Sequence, residues 1–132
     1  GGGYEGMFEG VFGYLQERMG ELKREEVEML RRLPIVPIGS RLVKVSRVFL
    51  RLSDNFFPFL FEIPRLFGAF DRLFRFLGTT ETPTLGDYVA TLREIAQNAR
   101  GTPLNINELL CVKKMLHCLS ASIQEKLREE GR

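Results

Sequence analysis

Tryptophan is absent from this chain, and among its 132 residues histidine occurs once and cysteine twice. That scarcity removes whole classes of chemistry. A zinc site needs three or four ligands at recognisable spacings, which His117, Cys111 and Cys118 do not supply. The two cysteines share one helical pattern seven residues apart. On a helix rising ~1.5 Å per residue their Cα atoms are about 10 Å apart, beyond the reach of a disulfide. His117 adjoins Cys118 in sequence, but neighbouring helical residues point about 100° apart, so they do not form a nucleophile–base pair. Free thiols suit a reducing compartment, no secretory leader is read, and a cytoplasmic location is expected.

Long apolar runs are missing as well. The richest region, Phe56 to Leu77, is broken by Glu62, Arg65, Asp71, Arg72 and Arg75, whereas a membrane span wants about 20 predominantly apolar residues. No membrane span is expected. Gly1, Gly2 and Gly3 precede no strand-to-helix turn with a lysine, and neither a phosphate loop nor a dinucleotide fingerprint occurs. The carboxylate pairs Glu25–Glu26 and Glu129–Glu130 sit in charge-rich faces without the desolvation that tunes an acid or base. The expectation is a non-enzyme with no catalytic residue, no cofactor and no small-molecule substrate. Net charge is only +2, divided as −2 over residues 1–40, +4 over 41–75 and zero over 76–132. So mild a basic middle reads as a solvated face and argues against nucleic acid.

What is present is helical pattern, turn residues and phenylalanine. Residues 1–3 read as a linker or expression scar, followed by an amphipathic helix over 4–33 in which Phe8, Phe12, Leu15, Met19, Leu22, Met29 and Leu33 recur at three- and four-residue steps. Glu26 occupies a slot where an apolar residue should fall. Gly6, Gly10, Gly13 and Gly20 weaken the pattern, each by up to ~1 kcal/mol relative to alanine, so the helix needs a partner, either its own chain or a second copy. Pro34 and Pro37 stop it. Ile35–Ile38 and Arg41–Val45, joined by Gly39 and Ser40, read as a β-hairpin. The pattern leaves Val48–Leu52 open between strand and helical turn.

Nine of eleven phenylalanines lie between Phe49 and Phe76. Side chains that each bury roughly 150–250 Å² are read as core, with Phe67, Phe70 and Phe74 stacked on a helix from Arg65 to Leu77 that Gly78 ends. Thr84 to Asp87 forms a capping box for a helix to Ala99, with Leu85, Tyr88, Val89, Leu92, Ile95 and Ala96 on one face. Gly101 and Pro103 close it. Asn105 to Glu108 opens a long last helix with Leu109, Val112, Leu116, Leu119, Ile123 and Leu127 in a stripe.

The ordered series Leu33-Pro34-Ile35-Val36-Pro37-Ile38, Arg41-Leu42-Val43, Phe57-Pro58-Phe59-Leu60, Leu73-Phe74-Arg75-Phe76-Leu77-Gly78, Thr84-Leu85-Gly86-Asp87-Tyr88-Val89 and Leu104 through Leu119 resembles the non-ATPase, helical part of a sacsin-type repeat. The likeness covers about Leu33 to Leu119. Val45-Ser46 departs from it, since a proline would precede the serine, and Tyr4–Gly20 has no counterpart. The giant sacsin- and No Vein-like proteins combine such repeats with a GHKL-type ATPase fold, whose helix Asn and Asp-x-Gly turn are missing here. The resemblance implies proteostasis and scaffolding in the cytosol.

Together these readings give a mainly helical α+β fold in one domain: a long N-terminal helix over 4–33, then a small hairpin and three packed helices over 34–132. The expected role is a structural or client-contacting module of a large chaperone-like protein, with a protein partner and self-association through residues 4–33. The alternative is a peripheral membrane or acidic-surface binder, in which Arg65, Arg72 and Arg75 on one face of the phenylalanine-rich helix make the contact.

Overall fold

The computed structural model describes residues 3–131; Gly1 and Gly2 of the expected linker lie outside them, and Gly3 already opens the first helix. The described residues are 63% helical, with five α-helices and a small antiparallel hairpin among them, a mainly helical α+β fold. It forms two compact units. One comprises the residues up to Arg51 together with Glu62–Glu81; the other comprises Leu52–Phe61 with the residues from Thr82 on.

In the first unit the expected 4–33 helix is two helices, α1 (Gly3–Glu17) and α2 (Arg24–Arg32), separated by a 3-10 turn over Met19–Glu21. The cause is local. Leu22 and Lys23 take extended backbone, and the Glu26 carboxylate accepts the Lys23 N–H at 2.8 Å, as an N3 acid does in a capping box. Glu26 thus interrupts the apolar stripe because it begins a new helix. The break also resets the phase: Val27 and Leu30 turn inward, while Met29 and Leu33 of the expected stripe are exposed.

The hairpin follows. β1 (Pro34–Ile38) pairs antiparallel with β2 (Arg41–Lys44), and Val36 and Val43 are buried partners in the register. Gly39 supplies the positive φ, +60°, that the turn requires. A 3-10 turn over Val45–Arg47 leads to β3 (Val48–Phe49), so the undecided 48–52 segment begins as strand. β3 pairs with β4 (Phe61–Glu62), and the Ile63 N–H donates to the Phe49 carbonyl at 2.9 Å.

The phenylalanine helix winds differently from its expected course. Residues Arg65–Phe70 form a 3-10 helix and only Asp71–Phe76 is α-helical (α3). Phe12 of α1 enters this cluster with ring centroids 5.1 Å from Phe67, 5.9 Å from Phe70 and 5.4 Å from Phe74. The edge-on angles are those that aromatic quadrupoles favour. The aromatic half of the N-terminal stripe is therefore covered within its own unit. A β-carbon on Gly13 would lie in ordinary contact with the Phe70 ring at 3.7 Å, and one on Gly6 or Gly10 would meet nothing within 4 Å, so these glycines of α1 are not required by close packing.

Gln16 fastens the joint between the two windings. Its Oε1 accepts the Leu73 N–H, a first-turn amide of α3, and its Nε2 donates to the Ala69 carbonyl, both at 3.1 Å. No neighbouring side chain caps α3 from its own N-cap position, so a residue more than fifty positions away satisfies the orphaned amide. Gly78 stops α3 with φ +104°, and a β-carbon there would meet the Arg31 guanidinium at 3.1–3.4 Å.

The second unit is a helical hairpin carrying the 52–61 segment. α4 (Leu85–Ala99) begins at the expected box: the Asp87 N–H donates to Thr84 Oγ1 and the Thr84 N–H to Asp87 Oδ2. α5 (Ile106–Glu130) begins likewise, with Asn105 and Glu108 exchanging two bonds of 2.9 Å. Between them Arg100 takes the left-handed conformation at φ 47°, and Gly101 follows at φ +81°. The buried positions are Tyr88, Thr91 and Ile95 of α4 with Cys111 and Met115 of α5. This corrects both expected faces. Leu85, Val89 and Ala96 are exposed on α4, and Leu109, Leu116, Ile123 and Leu127 are exposed on α5 while Val112 and Leu119 are half-buried.

Candidate functional site

Arginines 65, 72 and 75 do not share one helical face, because Arg65 sits in the 3-10 segment and only Arg72 and Arg75 ride on α3. The tighter winding of the first two turns changes the angle between them. Arg65 and Arg72 are exposed. Arg75 is held by Asp71 at 3.0 Å and reaches Glu81 at 4.0 Å, and Glu81 also lies 4.0 Å from Arg51. The Arg75 charge is thus shared among acids of its own unit. Phe67 and Phe74 are 1% exposed, so the rings that the alternative reading would insert into lipid are interior; Phe76 is the exposed one on α3.

The chemistry-bearing residues of the second unit gather on α5. Cys111 is buried and its Sγ donates to the Phe56 carbonyl at 3.1 Å. Burial pushes this thiol up to about 11, so it stays protonated at neutral pH and is no nucleophile. Burial likewise pushes the Tyr88 phenol up to about 12, and Cys118 beside it adds to the rise. Tyr88 packs its ring 5.7 Å from Phe56. Among the described residues no three His, Cys, Asp or Glu side chains converge as a metal site would require, and no helix is long and apolar enough to cross a membrane.

Lys114 spans from α5 to the 52–61 segment, donating to Asp54 Oδ1 at 3.2 Å and to the Asn55 carbonyl at 3.1 Å. The Asn55 N–H, and after it Lys114, hold the Asp54 carboxyl below its ordinary value. Beside this bridge runs a groove of 720 Å³, lined by Ser53 and Asp54 on one side and by Leu110, Lys113, Lys114, Leu116, His117 and Cys118 on the other. Of this set the sequence singles out His117 and Cys118 by their chemistry and Leu116 by its place in the apolar stripe. The signal available was the polarity of the expected stripe's surroundings: Lys113 and Lys114 directly precede the buried Met115.

The outer stripe of α5 is the other notable surface. Leu109, Leu116, Ile123 and Leu127 are 48–61% exposed, and every residue from Ser120 to Gly131 is exposed. Apolar side chains recurring at helical spacing on an uncovered face are the arrangement that receives another element.

No protein-family model matches this chain, and no solved structure matches it significantly. Human sacsin (Homo sapiens) does: the two are 32% identical over 114 residues, which is 83% of this chain. The chain spans 2% of sacsin's length. Joined to the series of motifs from Leu33 to Leu119, and to the hairpin and capped helices that those motifs build, the match identifies the chain as a sacsin-type repeat region.

Proposed function

We propose that this region is a non-enzymatic, protein-contacting module of a large, cytoplasmic, sacsin-like chaperone or scaffold. The observation that carries the reading is the apolar stripe Leu109, Leu116, Ile123 and Leu127, left uncovered on a helix whose opposite face holds Cys111 and Met115 in the interior. Leucines and isoleucine in such a row gain free energy by burial against a partner, at roughly 25 cal/mol per Å² of apolar surface removed from water. The relative's great length supports the same view, since a segment amounting to 2% of it serves most simply as one contact element among many. The Cys111 thiol, protonated in its buried site, supports a non-catalytic role.

The test is suppression of aggregation by the purified chain, read as light scattering from heated citrate synthase. Scattering should fall in proportion to added chain, and Leu116→Ser with Ile123→Ser should abolish the effect while leaving the thermal midpoint in place. Scattering unchanged by the wild-type chain would overturn the client-contacting reading. Calorimetry with ATP·Mg²⁺ addresses the non-enzymatic part, because saturable binding accompanied by hydrolysis would overturn it.

A further inference from the structure

The groove beside α5 carries a more specific assignment, which rests on the protein-contacting reading and names the partner's chemistry. Its apolar contacts are Leu110 and Leu116, 46% and 53% exposed. They are six residues apart on α5, about 9 Å along the axis at ~1.5 Å per residue. Between them stands Lys113, exposed and without an ion pair among the described residues, and next to Leu116 stands exposed His117.

The charge of the groove follows from which of its groups are already matched. Asp54, the acid lining it, is bound to Lys114 and to the Asn55 amide. Glu108, the acid of the preceding turn, accepts the Asn105 N–H in the cap and lies outside the groove's lining. Among the residues that line the groove, Lys113 is therefore the charge without an ion pair. Its 720 Å³ falls within the range of about 300–1,000 Å³ that accommodates a ligand's side chains, and its concave form suits a peptide better than a flat lipid surface.

We infer that this groove binds an acidic–apolar helical segment of a partner protein, with apolar side chains about two turns apart seated against Leu110 and Leu116 and a carboxylate between them paired with Lys113. Both ends of the contact are needed. Apolar surface provides the affinity, and the lysine rejects basic amphipathic helices by leaving their charges opposed.

The probe is a fluorescein-labelled, helix-favouring peptide carrying leucines two turns apart with glutamates between them, beside a twin with lysines in place of glutamates. Anisotropy with the full chain should show saturable binding of the glutamate peptide alone, on the order of micromolar, weakening as salt rises. Lys113→Glu should weaken it at least about tenfold, and Leu110→Ser should do the same, with Lys113→Gln intermediate and all three variants melting as the wild type does. Equal binding of both peptides, no binding, or indifference to Lys113→Glu would overturn the assignment. So would a concentration-dependent dimer in sedimentation that Lys113→Glu dissolves, or groove-dependent binding to phosphatidylserine vesicles in place of the peptide. Aggregation suppression that survives Lys113→Glu alongside a silent peptide would sink this groove and leave the broader reading standing; peptide binding without suppression would do the reverse.

Discussion

The unit built on α1 and α3 gathers four rings against one another, Phe12 with Phe67, Phe70 and Phe74, whereas the unit built on α4 and α5 sets Phe56 against Tyr88 among Leu60, Ile95, the Cys111 thiol and the Met115 thioether. The way each starts its helices differs in parallel. α4 and α5 are capped from within four residues of their own sequence, by Thr84 with Asp87 and by Asn105 with Glu108. α3 has no such local cap and depends on Gln16. Both helices of the second unit thus start on local signals, while α3 of the first starts on a contact between distant segments, and each fails in its own manner.

The largest expected effect breaks the aromatic side of that contrast. Phe74→Ala removes a ring 5.4 Å from Phe12 in a site 1% exposed, and should cost roughly 3–5 kcal/mol in denaturant unfolding. The matched change on the other side, Leu116→Ala, lies on an exposed face and should stay within about 0.5 kcal/mol. Equal losses from the two would show that the α5 stripe is buried in solution and would erase the difference.

The polar interior of the second unit responds to alkali instead. Cys111 and Tyr88 hold their protons in the folded state above their ordinary values, up to about 11 and about 12. Between the ordinary and the raised value the unfolded chain releases a proton that the folded chain retains. The resulting stabilisation is present in full below about pH 9 and is lost as pH rises through 11 and 12, by something on the order of 2 kcal/mol for each group. Thermal melts from pH 8 to pH 11 should show a falling midpoint, and Cys111→Ala should flatten part of the fall. A midpoint that is level across this range would contradict the buried thiol.

A smaller effect sharpens the contrast in helix initiation. Glu26→Ala removes the acceptor of the Lys23 N–H and should cost about 1 kcal/mol, the usual worth of a cap, seen as faster amide exchange in Arg24–Arg32. If exchange there is unchanged, α2 is held by tertiary contacts alone.

What is readable in the sequence is what short-range signals carry, in both units. Thr84, Asn105, Gly78 and the Gly39–Ser40 turn announce themselves by residue type at fixed offsets, and each stands where the pattern put it. The 4–33 stripe reads as one long helix because Glu26 looks like a flaw in it, whereas Glu26 is the third residue of a second helix. The α5 face was misread because six aliphatic residues outweighed Cys111 and Met115 in the count of apolar positions, although the thiol alone can both fill space and donate to the Phe56 carbonyl. The groove was illegible for a further reason: Asp54 and Lys114 are sixty residues apart, and nothing local marks them as partners.

Gln16 has a consequence for which side chains its position can accept. The amide uses one end as acceptor, for the Leu73 N–H, and the other as donor, toward the Ala69 carbonyl. A glutamate would keep the acceptor but turn an oxygen toward that carbonyl; a lysine or arginine would serve the carbonyl but leave the Leu73 amide unanswered; methionine, of similar length, would answer neither. Position 16 therefore tolerates neither sign of charge nor its loss of polarity, and slow deamidation, which converts glutamine to glutamate by one atom, would act at this spot as a chemical clock on the joint between the 3-10 turn and α3.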